Sequence, residues 1–404
     1  MTAAARQRPR ARDLLPYAEA RLDRFLADLA RLVAIDSGSH SPAGVNQVAD
    51  WTADRLSVLG FAVERVTPRG EMGGSTGDIV IGRRTGRLAP REGGRRVLLA
   101  AHMDTVFADG TAAARPFTLQ GRLAHGPGVS DDKGGLLAGL TALDILSEAG
   151  VEEYAEILFL ATPDEEIGSP ASRPVTEQVA RGAHVALALE CARENGDLVI
   201  ARKGVADLLL TVTGRAAHSG IEPERGANAA LTAAHLVVAL QSLNSRWEDV
   251  SVNVGVVRAG IRTNIVCPEA ELRVEIRSAT TAGLARARAA VEEAAAQPSV
   301  PGTSVVVEQL DLCPPMEDTD LTHRIMARAR ALGEDLGLSL KAVATGGVGD
   351  ANIIAGMGVP VLDGLGPVGG ADHSPEEWLD TATVPERVAL LAGLVATLGD
   401  ARHE

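Results

Sequence analysis

The chain has 404 residues, 46% of them hydrophobic, 23% charged and 2% aromatic, with 39 Lys plus Arg against 53 Asp plus Glu and a formal net charge of −14. That length predicts two domains, each with enough chain to bury a core. An acidic chain poor in aromatics lacks the basic footprint and stacking platforms of nucleic-acid binding, and no uninterrupted apolar run approaches the roughly 20 residues of a membrane span.

At the N-terminus Arg6, Arg8, Arg10 and Arg12 are not followed by an apolar segment, so the sequence predicts a basic tail and not a signal peptide. Helical spacing of apolar residues covers 17–33 and 44–59. Three short, nearly all-apolar runs follow, Val97–Ala101, Ile157–Ala161 and Val185–Leu189, with a helical pattern over 136–146 ended by Gly150 between the first two. A further strand is expected at Val359–Leu362. Runs apolar on both faces, alternating with helices, predict an open, mostly parallel α/β sheet. The middle of the chain differs. Strands are expected at Leu208–Thr213, Val250–Val257 and Leu272–Arg277, the last alternating apolar and charged residues, with helices at Ala227–Leu243 and Thr281–Ala296 and a strand at Ser304–Val307. This β-α-β-β-α-β order predicts an inserted ferredoxin-like α+β domain over 203–310. The α/β domain is then discontinuous, 1–202 and 311–404. Three cysteines, Cys191, Cys267 and Cys313, are odd in number and dispersed, which predicts free thiols and a cytoplasmic location.

Ionisable residues gather at the C-terminal ends of the expected parallel strands, where open α/β sheets bind ligands. The first strand runs into His102-Met-Asp104. Gly126-Pro-Gly-Val-Ser-Asp131-Asp-Lys-Gly-Gly135 precedes the long helix, the second strand ends at Thr162-Pro-Asp-Glu165-Glu166, and the third ends at Glu190. The last leads through glycines to Ala371-Asp-His373-Ser. Imidazoles and carboxylates together predict a divalent metal site, zinc before others. Asp131, Glu166, Glu190 and a hydroxide balance the charge of two cations, whereas one cation would leave a costly negative cluster.

The set H-x-D, G-P-G-V-x-D-D-K-G-G, D-E-E-x-G, E, G-R-A-A-H-S-G and D-H-S-P-E-E-W, in this order from about residue 95 to the C-terminus, resembles the acetylornithine deacetylase, aminoacylase and glutamate carboxypeptidase family of dinuclear zinc hydrolases. The resemblance implies an α/β zinc domain with an inserted lid through which the protein forms a homodimer. It implies that Asp131 bridges two Zn²⁺ (Co²⁺ or Mn²⁺ as alternatives), with His102 and Glu190 on one and Glu166 and His373 on the other. Asp104 would orient His102, and Glu165 would be the general base. His218, Asn264 and Arg277 match positions that contact substrate, His218 reaching across the dimer. Gly347 lies in a loop, Thr345–Asp350, like the family's glycine-rich substrate loop, in which Gly349 stands where serine is common. Glu190, in place of the Asp usual in aminopeptidase relatives, favours a substrate with a free carboxylate. The implied reaction is hydrolysis of the amide or peptide bond before a C-terminal amino acid; an N-acyl-amino-acid deacylase or a dipeptidase would use the same zinc site. Positions that hold a glutamate side chain in glutamate carboxypeptidase carry Asp197 and Cys313 here, so no glutamate preference is carried over.

Some features read more plainly. Gly364-Leu-Gly-Pro-Val-Gly369 fits G-x-G-x-x-G, but no helix opens after it, so no dinucleotide site is expected. Asp132-Lys133 reads as an ion pair at a helix start and Cys191 as a packing residue. His125, just ahead of the Asp131 loop, fits either support of the site or loop surface.

Overall fold

The structure, a computed structural model, describes residues 10–68 and 76–403. Arg6 and Arg8 of the basic tail lie outside the described residues. Arg10 and Arg12 belong to the first helix region, where Arg10 caps Ala11–Glu19 through Asp13 and Arg12 pairs with Asp335. By its contacts the chain divides into two units. One comprises the chain up to Ile200, Asp318–Ala344 and the chain from Gly349 on; the other comprises Ala201–Glu317 and Thr345–Val348.

Among the described residues the first unit has a six-stranded sheet in the spatial order Ala62–Val66, Ile79–Thr85, Glu156–Thr162, Arg96–His102, Val185–Ala188, Val361–Leu362. The last four are mutually parallel and are the apolar runs expected from sequence. Two antiparallel strands at one edge, Ala62–Val66 and Ile79–Thr85, carry charged residues and Gly82, which hides their pattern. Register decides what the sheet presents. His102 lies opposite Thr162 and Ala100 opposite Ala188, so three strands end in one row and release His102, Glu165 and Glu190 at the same edge.

The helix Lys133–Glu148 is buried on nearly every side, as its apolar composition requires. It lies so close to the sheet that a Cβ at Gly135 would stand 1.8 Å from the Leu189 carbonyl oxygen, so only glycine fits there. The expected single helix over 17–33 is two, Ala11–Glu19 and Leu22–Val33. At the junction Arg21 turns back to the Tyr17 carbonyl (3.1 Å) and to Asp144 (2.9 Å) and Glu148 of the core helix. Thr381–Leu398 has the length and hydropathy of a membrane span, but 72% of it is buried inside the unit, the position of a core helix.

The second unit has a four-stranded antiparallel sheet ordered Val250–Ala259, Glu269–Ser278, Gly204–Thr213, Ser304–Cys313. With helices Ala229–Gln241 and Thr281–Ala296 it follows the β-α-β-β-α-β order of a ferredoxin-like fold. Leu208, Leu210, Leu272 and Ile276 pack against Leu236, Leu284 and Val291 of the helices. The last strand runs to Cys313, past the expected Val307. A bulge between Gln309 and Asp311 interrupts its alternation, and an edge strand with a wet face tolerates Glu308, Gln309 and Asp311.

The glycine run from Gly364 is explained by a buried cation. Arg387, 2% exposed, donates to the carbonyls of Gly366 (3.0 Å), Gly196 (3.1 Å) and Gly364 (2.5 Å), and burial pulls its pKa down to about 10. Gly366 in turn donates its N–H to the carbonyl of Glu190 (2.9 Å), so this arginine buttresses one end of the strand-end row. Arg387→Met would strip three carbonyls, two of them buried, of their donors. It should cost about 3 kcal/mol or more, seen as a lowered midpoint in thermal unfolding.

Candidate active site

Two clusters share one residue: His102, Asp131 and Glu190 form the first, Asp131, Glu166 and His373 the second, each with ligand atoms within 4.8 Å of one another. Asp131 divides its oxygens between two imidazoles, Oδ1 facing His102 Nε2 (3.0 Å) and Oδ2 facing His373 Nε2 (3.1 Å). Glu190 Oε1 lies 3.8 Å from His102 Nε2, and Glu166 Oε2 lies 3.1 Å from His373 Nε2. The other Glu166 oxygen, Oε1, is buried with no hydrogen-bond partner. An orphaned carboxylate oxygen beside two imidazoles is a donor set suited to a divalent cation, so the residues fit the metal that the sequence implies.

Electrostatics follow from the crowding. Burial and the Asp131 charge push Glu166 up to about 7. Burial and Glu190 raise Glu165 well above the carboxylate range. His373 rises to about 9, chiefly through its hydrogen bond to Asp131. Burial opposes protonation of His102, but Asp104 and Asp131 outweigh it and raise its pKa. Asp131, though buried, is held low by both imidazoles.

The backbone around the site is organised by carboxylates that do not belong to the clusters. Asp104, fully buried, faces His102 Nδ1 through Oδ1 (3.3 Å). It also accepts the N–H groups of Glu165 (3.1 Å) and Glu166 (3.2 Å) and the Ser39 hydroxyl (2.7 Å). One carboxylate thus orients an imidazole and fixes the turn bearing both glutamates. Glu377 accepts the N–H groups of Gly128 (2.8 Å), Ser130 (2.8 Å) and Asp131 (3.0 Å), gathering the loop that presents Asp131. His125 Nδ1 sits 3.0 Å from the Glu377 carbonyl oxygen, in support of the same loop. His373 and Ala371 adopt left-handed φ angles of 64° and 56°, and Ser374 closes this turn onto the Ala371 carbonyl. Ser39 and Glu377 were not found from sequence. A serine in a loop carries no signal of its own, and Glu377 reads as one acidic residue among several in D-H-S-P-E-E-W.

One plain reading is revised. Asp132 and Lys133 are not an exposed helix-start pair: both are buried, Asp132 accepting the His102 N–H (3.2 Å) and Lys133 donating to the Ile35 carbonyl (2.8 Å). Burial pulls Lys133 down to about 8. Cys191 is half-buried, with its thiol 3.3 Å from Asp372 and its pKa raised by burial and that carboxylate.

The remaining sequence candidates lie in the second unit and fall into two groups. His218 and Asn264 are exposed neighbours, the ladder continuing past the strand ends through Val266 N–H to Ala217 O (3.0 Å) and Ser219 N–H to Asn264 O (3.1 Å). Arg277 is at the far end of Glu269–Ser278, opposite Val205, whereas Glu269 is opposite Thr213. At 3.4 Å per residue this strand separates the two groups by about 27 Å. Arg277 does not stand open. Glu275 engages its Nε (2.8 Å) and Nη2 (2.9 Å), and Nη1 donates to Gly346 O (2.8 Å) beside Gly347. Asp197 is buried and accepts the Lys341 N–H (3.0 Å), and Cys313 is buried, so neither offers a cationic group.

The profile of peptidase family M20/M25/M40 matches residues 98–397. The chain belongs to this family. It is 32% identical to carboxypeptidase G2 of Pseudomonas sp. (strain RS-16), over 92% of this chain and 88% of that protein. Acetylornithine deacetylase of Pectobacterium atrosepticum is 27% identical over 90% of this chain and 92% of its own. Among solved structures, an M20 family metallo-carboxypeptidase from Sulfolobus solfataricus superposes with a TM-score of 0.70 at 14% identity, covering 93% of this chain and 99% of that one. An aminopeptidase from Bacillus cereus gives 0.71 at 22%, covering 93% and 98%. The protein is therefore a hydrolytic enzyme of a peptidase family, on a mixed α/β fold with a mostly parallel sheet.

Two expectations test the site. Glu377→Ala frees three loop N–H groups and should weaken metal uptake about 10–100-fold in competition with a chelator. In the metal-free chain Glu166 and His373, at about 7 and about 9, hold protons that a cation must displace. Loading should release protons, and apparent affinity should climb with pH from about 7 to about 9 and level off above. Calorimetry in buffers of different ionisation enthalpy reads this directly; an affinity flat over that range contradicts it.

Proposed function

We propose that this enzyme is a dinuclear zinc hydrolase that cleaves the amide or peptide bond before a C-terminal amino acid bearing a free carboxylate. The observation that carries the reading is Asp131, each oxygen facing a different imidazole, flanked by Glu190 on one side and Glu166 on the other. That is the donor geometry of two adjacent cations sharing one carboxylate. Zinc held there supplies a Lewis acid that polarises the amide carbonyl and lowers the pKa of water to about 7.

The protein's own residues do the rest. Glu165, half-buried beside the clusters, takes the proton of the attacking water and delivers it to the departing amine nitrogen. Asp104 fixes the turn of Glu165 and the ring of His102 together. Arg277, held by Glu275 and by the Gly346 carbonyl, supplies the positive charge that answers the substrate carboxylate.

Carboxypeptidase G2 and acetylornithine deacetylase are both relatives. Hydrolysis of N-acyl amino acids or dipeptides on the same site is thus the second reading. The separation of His218 and Asn264 from Arg277 within one unit supports a homodimer in which a second copy supplies His218. Three cysteines outside any disulfide support a reducing, cytoplasmic setting.

Chelation should abolish turnover and zinc restore it. Glu165→Gln should lower kcat by about 10³-fold or more with two metals still bound by elemental analysis. A panel of N-acyl amino acids, dipeptides and acyl-glutamates, each beside its amide-capped form, reads the substrate class; equal cleavage of capped and free forms removes the carboxylate requirement. Mixing inactive His218→Ala and Glu165→Gln proteins should recover roughly a quarter of normal activity if sites are shared across a dimer. Recovery of none assigns His218 to its own chain.

A further inference from the structure

The first unit carries a cleft of about 610 Å³, within the range of small-molecule sites. Glu166 lines it and belongs to the second cluster as well, so cleft and cluster are continuous. Its apolar wall is made by Val106 and Phe107 of one loop and by Ile167, which directly follows Glu166. Val106 is 43% exposed, and Phe107 and Ile167 are half-buried. An open apolar surface thus lies beside a site otherwise crowded with carboxylates.

That wall is held in place by the chain around it. Gly38 and Thr105 form a short parallel bridge, in which Thr105 donates its N–H to the Ser37 carbonyl (2.9 Å) and Ser39 donates to the Thr105 carbonyl (3.3 Å). Asp36 accepts the N–H groups of Gly110 (2.8 Å) and Ala112 (2.8 Å), which pins the far end of the same loop. The Arg115 guanidinium lies over the Phe107 ring, 4.4 Å from its centre, and donates to the Ser374 carbonyl (3.2 Å). Ring and His373 turn are joined in this way. A wall fixed beforehand costs little to order when a ligand arrives.

Charge decides what the cleft takes. Among the described residues no lysine or arginine lines it, and its other ionisable groups, His40 and Asp109, are exposed. An anionic group would lose water there without meeting a fixed cation, whereas an apolar one gains by covering Val106, Phe107 and Ile167. We infer that this cleft is the subsite for the acyl group on the carbonyl side of the scissile bond, and that it selects neutral, apolar acyl groups. The inference rests on the hydrolase reading given above. There Arg277 of the second unit answers the carboxylate of the departing amino acid, and the acyl group falls to the cleft that shares Glu166 with the clusters.

The test keeps the departing amino acid at the one the substrate panel selects and varies the acyl group on the zinc-loaded enzyme. From acetyl to hexanoyl, kcat/KM should rise about threefold per methylene. Succinyl, close to pentanoyl in size but anionic, should be cleaved at least about tenfold less efficiently than pentanoyl. Val106→Lys should raise the succinyl-to-pentanoyl ratio about tenfold or more, and Phe107→Ala should flatten the rise with chain length, both with two metals retained. Each variant is read as a ratio between substrates, so a general loss of activity cancels. A flat chain-length series in the parent, or ratios unchanged in both variants, would overturn the inference while leaving the hydrolase reading intact. A panel with no amide cleaved by the loaded parent would instead remove the hydrolase reading, and the inference with it.

Discussion

Everything at the strand ends is shaped by one constraint, the mutual repulsion of carboxylates crowded into a partly buried cleft. The fold meets it by dividing them into two kinds. Asp104, Asp132, Asp350 and Glu377 are each met by N–H or hydroxyl donors of the chain itself. Asp164 belongs with them, accepting the N–H groups of Ala171 (2.7 Å) and Ser172 (3.2 Å). These hold loops in place, although Asp132 and Asp164 each keep one buried oxygen without a partner. Asp131 and Glu166 receive imidazoles, and Glu166 keeps one oxygen without any partner. A carboxylate left short of donors is expensive unless a cation answers it. Asp131 and Glu166 are set apart by having imidazoles, and not main-chain N–H groups, as the partners of their carboxylates.

Register turns that chemistry into a site. A shift of one residue in the pairing of Arg96–His102 with Glu156–Thr162 would send every side chain to the opposite face and take His102 out of reach of Asp131. The near-continuous apolar strands make such a shift cheap in burial terms, since both faces are dry. The polar residues at the ends then have to specify alignment. The contacts of Asp104 with His102, Glu165 and Glu166 do this, tying two neighbouring strands at the level where they finish.

Much of this was legible in the amino-acid sequence. The parallel strands stood out as short all-apolar runs, and the residues of the two clusters lay at their ends in motifs. The α+β unit was legible from strict alternation in Leu272–Arg277. The edge strands were not, because Ala62–Val66 and Ile79–Thr85 mix charge and glycine into short segments. Nor was the state of Arg277, whose engagement with Glu275 depends on two side chains of one wet face choosing each other. Ser39, Glu377 and Asp350 escaped notice for a common reason: their work is to accept or donate hydrogen bonds across long stretches of chain, and no local pattern announces it.

The glycine run Gly364–Gly369 shows how much a spacing leaves unsaid. In a dinucleotide fold, glycines at these intervals let backbone N–H groups close around an anion. Here Gly364 and Gly366 present their carbonyls, and what they close around is the guanidinium of Arg387. The intervals encode how nearly another group can approach the main chain, and stay silent on its sign. Polarity is settled by which way the peptide planes turn, a property of the surrounding fold. A glycine signature is thus better regarded as a socket than as a ligand code, and this chain fits its socket with a plug of its own.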